Sequence, residues 1–87
     1  MRRPLNYEIL KYFTNEDKAS AKDVYQALKD DFKDHKAFTM ENIIESLMTA
    51  KENGLIDEDS YMLIDDELVV YYKASEEQKD TINSYIK

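Results

Sequence analysis

Thr39-Met40-Glu41-Asn42-Ile43-Ile44-Glu45-Ser46-Leu47-Met48-Thr49-Ala50-Lys51-Glu52-Asn53-Gly54-Leu55-Ile56 is the stretch whose reading decides the fold. Thr39 offers the short hydroxyl that satisfies free amides at a helix start, with Asn42 at the third position. Ile43, Ile44, Leu47, Met48 and Ala50 follow at helical spacing, inward or partly so. Gly54, the only glycine of the chain, stands where a helix ends in the left-handed conformation that glycine adopts without steric cost. Leu55 and Ile56 begin an extended stretch. The segment predicts a capped amphipathic helix that stops abruptly and turns into a strand.

Upstream, Pro4 suits a first helical turn, where a missing N–H costs nothing. Leu5, Ile9, Leu10 and Phe13 recur at helical spacing, predicting a helix over 4–14. Ser20 with Asp23 forms a variant capping box. Val24, Tyr25, Ala27, Leu28 and Phe32 make an apolar stripe over 21–32, ending near Asp30 and Asp31 at the unfavourable end of the dipole. Lys33 to Phe38 is a polar linker.

Downstream, Tyr61-Met62-Leu63-Ile64 and Leu68-Val69-Val70-Tyr71-Tyr72 flank Asp65-Asp66-Glu67. Two β-rich runs around a short polar turn predict a hairpin. With neither glycine nor Asn-Gly in the turn, a three-to-five-residue loop is expected in place of the tight mirror-image types. Ser75-Glu76-Glu77-Gln78 is a capping box with acids in the first turn. A last helix is expected over 76–85, with Ile82, Tyr85 and Ile86 on its apolar face. The order is helix, helix, helix, hairpin, helix: an α+β domain spanning residues 1–87. The expected core is Leu5, Ile9, Leu10, Phe13, Val24, Leu28, Ile43, Leu47, Leu55, Ile56, Leu63, Val70 and Ile82.

Composition narrows the function classes. With 43% hydrophobic residues the chain is not of the disordered type. It has no cysteine, which removes disulfides, thiolate metal sites and cysteine nucleophiles. No apolar run reaches the ~18 residues of a membrane span, and no apolar core follows Met1-Arg2-Arg3-Pro4 to make a secretory signal. A cytoplasmic protein with no membrane partner is expected. Net charge is −7, with a sum of +1 over residues 1–40 and −8 over 41–87. Such an acidic second half repels phosphate backbones and favours basic or apolar partners.

The Ile43, Leu47, Ala50, Gly54, Leu55, Ile56 spacing resembles the recognition helix of winged-helix domains and its Gly-Leu-Ile step into the wing. Ser20 to Leu28 resembles their second helix. Tyr71-Tyr72-Lys73-Ala74-Ser75 resembles the return strand and closing helix. Within that group the chain most resembles small uncharacterised, often phage-associated YjcQ-like proteins of Gram-positive bacteria. The resemblance covers nearly the whole chain. It implies a three-helix bundle, a two-stranded wing and a C-terminal helix, with Arg or Lys on the outer face of the third helix and at the wing tip. Those places hold Glu41, Glu45, Glu52 and Asp65, Asp66, Glu67 here.

Several surfaces could carry function. On the third helix, Glu41, Asn42, Glu45, Ser46 and Thr49 point outward and form a candidate interaction face. Asn42, Ser46 and Thr49 suit base edges or phosphates, but DNA affinity needs neutralised phosphates and this face offers only Lys51. The wing adds Asp65, Asp66, Glu67 and Tyr71. If DNA is bound, Arg2, Arg3, Lys22, Lys36 and Lys51 are the phosphate contacts, although Asp23, Asp30, Asp31 and Asp34 interleave with the basic residues of the first half. The cluster of Asp57, Glu58, Asp59, Asp65, Asp66 and Glu67 lacks calcium-loop spacing and reads as a charged edge that deters strand pairing. His35 has no orienting partner in sight. Ile82, Tyr85 and Ile86 pack on the first helix or form a homodimer interface.

These features favour a non-enzymatic interaction module that binds protein and needs no metal or cofactor. The alternative is a sequence-specific DNA-binding transcriptional regulator, resting on analogy of fold. No nucleophile–base pair, metal spacing or phosphate loop suggests an enzyme.

Overall fold

Three helices begin at the residue the sequence marks for them, and the first begins one residue later than expected, with Pro4 outside it as the cap. The computed structural model describes residues 4–86 and places α1 at Leu5–Asn15, β1 at Ala19–Ser20, α2 at Ala21–Phe32, α3 at Met40–Glu52, β2 at Asp57–Ile64, β3 at Glu67–Lys73 and α4 at Glu76–Tyr85. Arg2 and Arg3 lie outside the described residues. Pro4 is the N-cap of α1. Ser20 Oγ accepts from the Asp23 amide at 3.3 Å while the Asp23 carboxylate accepts from the Ser20 amide at 3.0 Å. Thr39 Oγ1 accepts from the Asn42 amide at 3.1 Å. Ser75 and Gln78 repeat the reciprocal arrangement at 3.1 and 2.8 Å. Each of the three hydroxyl caps, Ser20, Thr39 and Ser75, stabilises its helix by about 1 kcal/mol.

The end of α3 is as sharp as its start. Gly54 has φ +78°. Its amide donates to the Lys51 carbonyl at 3.0 Å, and the Leu55 amide reaches back to the Ala50 carbonyl at 2.9 Å. These two bonds make a Schellman stop, with half-buried Leu55 packed against the core.

The result is an α+β fold with four helices and one antiparallel sheet of order β1-β3-β2. Three findings differ from the sequence expectation. Where two strands were expected there are three, since Ala19 and Ser20 pair with Tyr72 and Tyr71 before Ser20 caps α2. A two-residue strand carries no periodic signal. β2 also starts early, at Asp57, with a register shift between Glu58 and Ser60. The hairpin turn is tight: Ile64 pairs with Glu67, leaving Asp65 and Asp66 at φ +52° and +66°. Positive φ at both positions belongs to the mirror-image turns, and aspartate is among the few residues that tolerate it without glycine.

The core is built from Leu5, Ile9 and Phe13 of α1, Val24, Leu28 and Phe32 of α2, Ile43, Leu47 and Ala50 of α3, with Phe38, Ile56, Tyr72, Ile82 and Ile86. The Tyr25 and Phe38 rings stack at 4.7 Å. Ile82 and Ile86 are buried in the chain's own core, and α4 packs on α1, where Lys11 Nζ donates to Asn83 Oδ1 at 3.0 Å. Tyr85 is the exposed member of that trio. Leu10, Leu55 and Val70 are only half-buried. Leu63 is not core at all: it stays 74% exposed, because the hairpin extends past the helices that would cover it.

Replacing Asp65 and Asp66 together by Asn and Gly supplies the residues that positive φ favours. By relieving left-handed strain, this double variant should gain about 1 kcal/mol net of the entropy that glycine adds to the unfolded chain, or roughly 4–8 °C in Tm. Thermal unfolding followed by circular dichroism would show it, and an unchanged or lower Tm would mean that the turn carries no strain.

Candidate interaction surface

Thirteen residues give α3 about three and a half turns, enough for three distinct faces. Ile43, Leu47 and Ala50 point into the core. Asn42, Ser46 and Thr49 lie on one flank and, with Glu45, line a shallow cleft of about 350 Å³ against Pro4, Leu5, Asn6 and Ala37. Two of these polar groups are already engaged. Ser46 Oγ hydrogen-bonds Asn6 Oδ1 at 3.0 Å, and Asn42 Nδ2 donates to the Ala37 carbonyl at 2.9 Å. Met40, Ile44 and Met48 occupy the other flank, one turn apart. Ile44 and Met48, expected inward or partly so, remain 43% and 52% exposed.

The hairpin presents a second apolar wall. Residues paired across strands share a face, and neighbours along a strand alternate. Tyr72 is buried, so Val70 and Leu68 lie on the inner face. Their partners Tyr61 and Leu63 lie there too. Val69, Tyr71, Met62 and Ile64 take the outer face, where the Lys18 ammonium sits 5.6 Å from the centre of the Tyr71 ring. Leu68 and Tyr61 are 62% and 69% exposed. Between hairpin and helices runs a groove of about 280 Å³, bordered by Met40, Ile44, Leu47, Leu68, Val70 and Lys22 among others.

Charge divides along the hairpin. At its base every acid has a partner: Asp57 accepts from Gln78 Nε2 at 3.2 Å, Glu58 binds Lys51 Nζ at 2.9 Å, and Asp59 lies 3.7 Å from Lys18 and 3.5 Å from Lys73. Ser60 Oγ donates to Asp59 at 3.0 Å. That hydrogen bond, with the two lysines, holds the Asp59 carboxyl below its ordinary range despite some desolvation. The Glu58 hydrogen bond and charge likewise raise Lys51. Burial, then the Glu58 charge, raises Tyr72. At the tip and on α3, by contrast, Asp65, Asp66, Glu67, Glu41 and Glu45 have no ion pair or side-chain hydrogen bond among the described residues.

The residues singled out from sequence are thus spread over separate places. Asn42, Glu45, Ser46 and Thr49 face the start of α1. Asp65, Asp66 and Glu67 crown the hairpin, and Tyr71 lies on its outer face near the base. Of the phosphate-contact candidates, Lys51 is taken up by Glu58, Lys36 is exposed between α2 and α3, and Lys22 borders the groove. The apolar residues Met40, Ile44, Met48, Leu63 and Leu68 escaped notice as surface features. Two signals were available. The apolar positions of α3 are too many for one stripe, and the hairpin runs lack the polar alternation of a strand buried on one side. No helix among the described residues is long and apolar enough to cross a membrane. No protein-family model matches the chain, and no curated protein matches it.

The Asp59 network sets a pH dependence. Its folded pKa lies below the unfolded value of about 3.9, so the unfolded state binds the proton first as pH falls. The stabilisation is present at neutral pH and is lost on acidification through the folded pKa. Asp59→Asn should therefore lower Tm at pH ~7 and converge with the parent protein near pH ~2. A Tm difference that stays constant across that range would show that Asp59 contributes nothing through its charge.

Proposed function

We propose that this chain is a non-enzymatic winged-helix interaction module, of the phage-associated kind its sequence resembles, and that it binds protein through the groove between α3 and the hairpin. Three helices, a short strand before α2, a hairpin and a closing helix suit that scaffold. The observation that carries the reading is the pairing of exposed Ile44 and Leu68, which line the groove, and of exposed Met48 and Leu63 beside them, with the uncompensated carboxylates of Asp65, Asp66 and Glu67 at the hairpin tip. An exposed apolar cluster rimmed by charge is the usual mark of a protein-binding surface. Methionines at 40 and 48 suit it further, because their flexible side chains adapt to a partner. The alternative, a DNA-binding transcriptional regulator, would bring a phosphate backbone against Glu41, Glu45, Asp65, Asp66 and Glu67. Each such carboxylate opposes the counterion release on which DNA affinity rests.

A photo-crosslinking side chain at Met48, irradiated in the native host, separates the two readings. Protein adducts that survive nuclease treatment are expected. Ile44→Asp or Leu68→Asp should reduce their yield at least about ten-fold, equivalent to roughly 1.4 kcal/mol. Both positions are exposed, so Tm should move little. Adducts destroyed by nuclease, together with chemical-shift changes on adding random duplex DNA at low salt, would overturn the protein-binding reading.

A further inference from the structure

β1 stops after two residues because Ser20 leaves the sheet to cap α2. It pairs only with Tyr71 and Tyr72. β3 begins four residues earlier, at Glu67, and β2 covers one side of it from Leu68 onward and at Glu67 itself. On the other side, no strand among the described residues pairs with Glu67, Leu68, Val69 or Val70. The groove of about 280 Å³ lies here, and its lining includes all four of these residues in succession. Successive strand residues point to opposite faces. All four can border one groove only if it runs along the edge of the strand.

That edge distinguishes between kinds of partner. An open strand edge presents unpaired N–H and C=O groups. A helix laid into the groove would cover them without pairing them, at about 1–3 kcal/mol for each group left unsatisfied. An extended chain would pair them, as β1 already does one step further along. Met40, Ile44 and Leu47 form an apolar wall for its side chains. In the lining Glu67 and Lys22 balance, and the adjoining turn adds Asp65 and Asp66, so the tip end of the groove is the negative one. A second copy of this chain carries −7, and pairing through its own hairpin would bring its uncompensated Asp65 and Asp66 along with it. It has the wrong sign for the position.

We propose that the groove accepts an extended segment of a partner protein as an added strand in line with β1. Apolar side chains of the segment lie against Met40 and Ile44, and its Lys or Arg side chains lie beside Asp65, Asp66 and Glu67. Four paired residues correspond to about 13 Å of strand. The inference rests on the protein-binding reading and specifies the form the partner takes.

Three synthetic ten-residue peptides test it on the full chain: alternating Val/Lys, Leu/Lys at helical period, and alternating Val/Glu. With alternating Val/Lys, hydrogen exchange of the groove-facing amides within 67–70 should slow at least about ten-fold, since strand pairing protects amides and helix docking does not. The helical peptide should bind at least ten-fold more weakly, and Val/Glu should not bind. Neutralising the tip with Asp65→Asn, Asp66→Asn and Glu67→Gln should weaken Val/Lys binding several-fold and flatten its salt dependence. The proposal is overturned if the helical peptide binds as tightly, if exchange at 67–70 stays unchanged at Val/Lys concentrations on the order of 1 mM, or if sedimentation shows self-association that those peptides displace. Protein crosslinks at Met48 with unprotected amides would sink the strand and leave the protein-binding reading intact. Nuclease-sensitive crosslinks alone would sink that reading itself.

Discussion

Gly54 ends α3 in the left-handed conformation, and its carbonyl accepts from Gln78 Nε2 at 3.1 Å. The same Gln78 nitrogen reaches Asp57 at 3.2 Å, while its oxygen caps the Ser75 amide. One side chain therefore ties together the stop of α3, the start of β2 and the first turn of α4. The direction in which the hairpin leaves α3 depends on this junction. So does the gap between Ile44 and Leu68, which is what remains when a strand departs from a helix at a fixed angle. Nothing in Gly54's surroundings crowds a Cβ, so the constraint at that position is its backbone angle alone.

Below the tip, the hairpin is held by side chains. Lys51 on α3 grips Glu58, while Lys18 and Lys73 converge on Asp59 beside the shift in register. Exposed ion pairs are individually worth ~0–1 kcal/mol, yet their placement at the base matters more than their sum. Beyond Ser60 the β2–β3 ladder and its own turn support the chain, with half-buried Val70 the last residue packed against the core. A two-stranded hairpin by itself is marginally stable in water. The tip thus combines weak local support, exposed apolar side chains on both faces and unneutralised carboxylates, whereas at the base the acids are partnered and Tyr72 is buried.

Much of this was legible in the sequence because it depended on local chemistry. Ser20, Thr39 and Ser75 cap where their hydroxyls predict, and Gly54 breaks α3 where only glycine fits cheaply. What could not be read depended on what the chain does at a distance. Ile44 has the spacing of a core residue, and only the departure of the hairpin leaves it uncovered. Leu63 reads as a buried strand residue, but its pairing with Leu68 places it beyond the reach of the helices. The turn was misread for a different reason: two aspartates can hold the positive φ usually assigned to glycine. Asn42 and Ser46 point outward as expected, yet their polar groups are occupied by Ala37 and Asn6, partners invisible to periodicity.

The sign of the charge gives the exposed apolar edge its meaning. An open edge flanked by hydrophobic residues invites pairing with any passing strand, including that of another copy. Proline at the edge would suppress this whatever the partner's charge, since it removes the ladder donor. Carboxylates suppress it selectively: they repel other acidic chains, copies of this one above all, and leave basic strands attracted. A domain of 87 residues has little apolar surface to spare from its core. Leaving Ile44, Met48, Leu63 and Leu68 uncovered weakens folding for no structural return. Their placement near an unpaired strand edge, below a tip of unneutralised carboxylates, is the arrangement that the proposed basic strand would need.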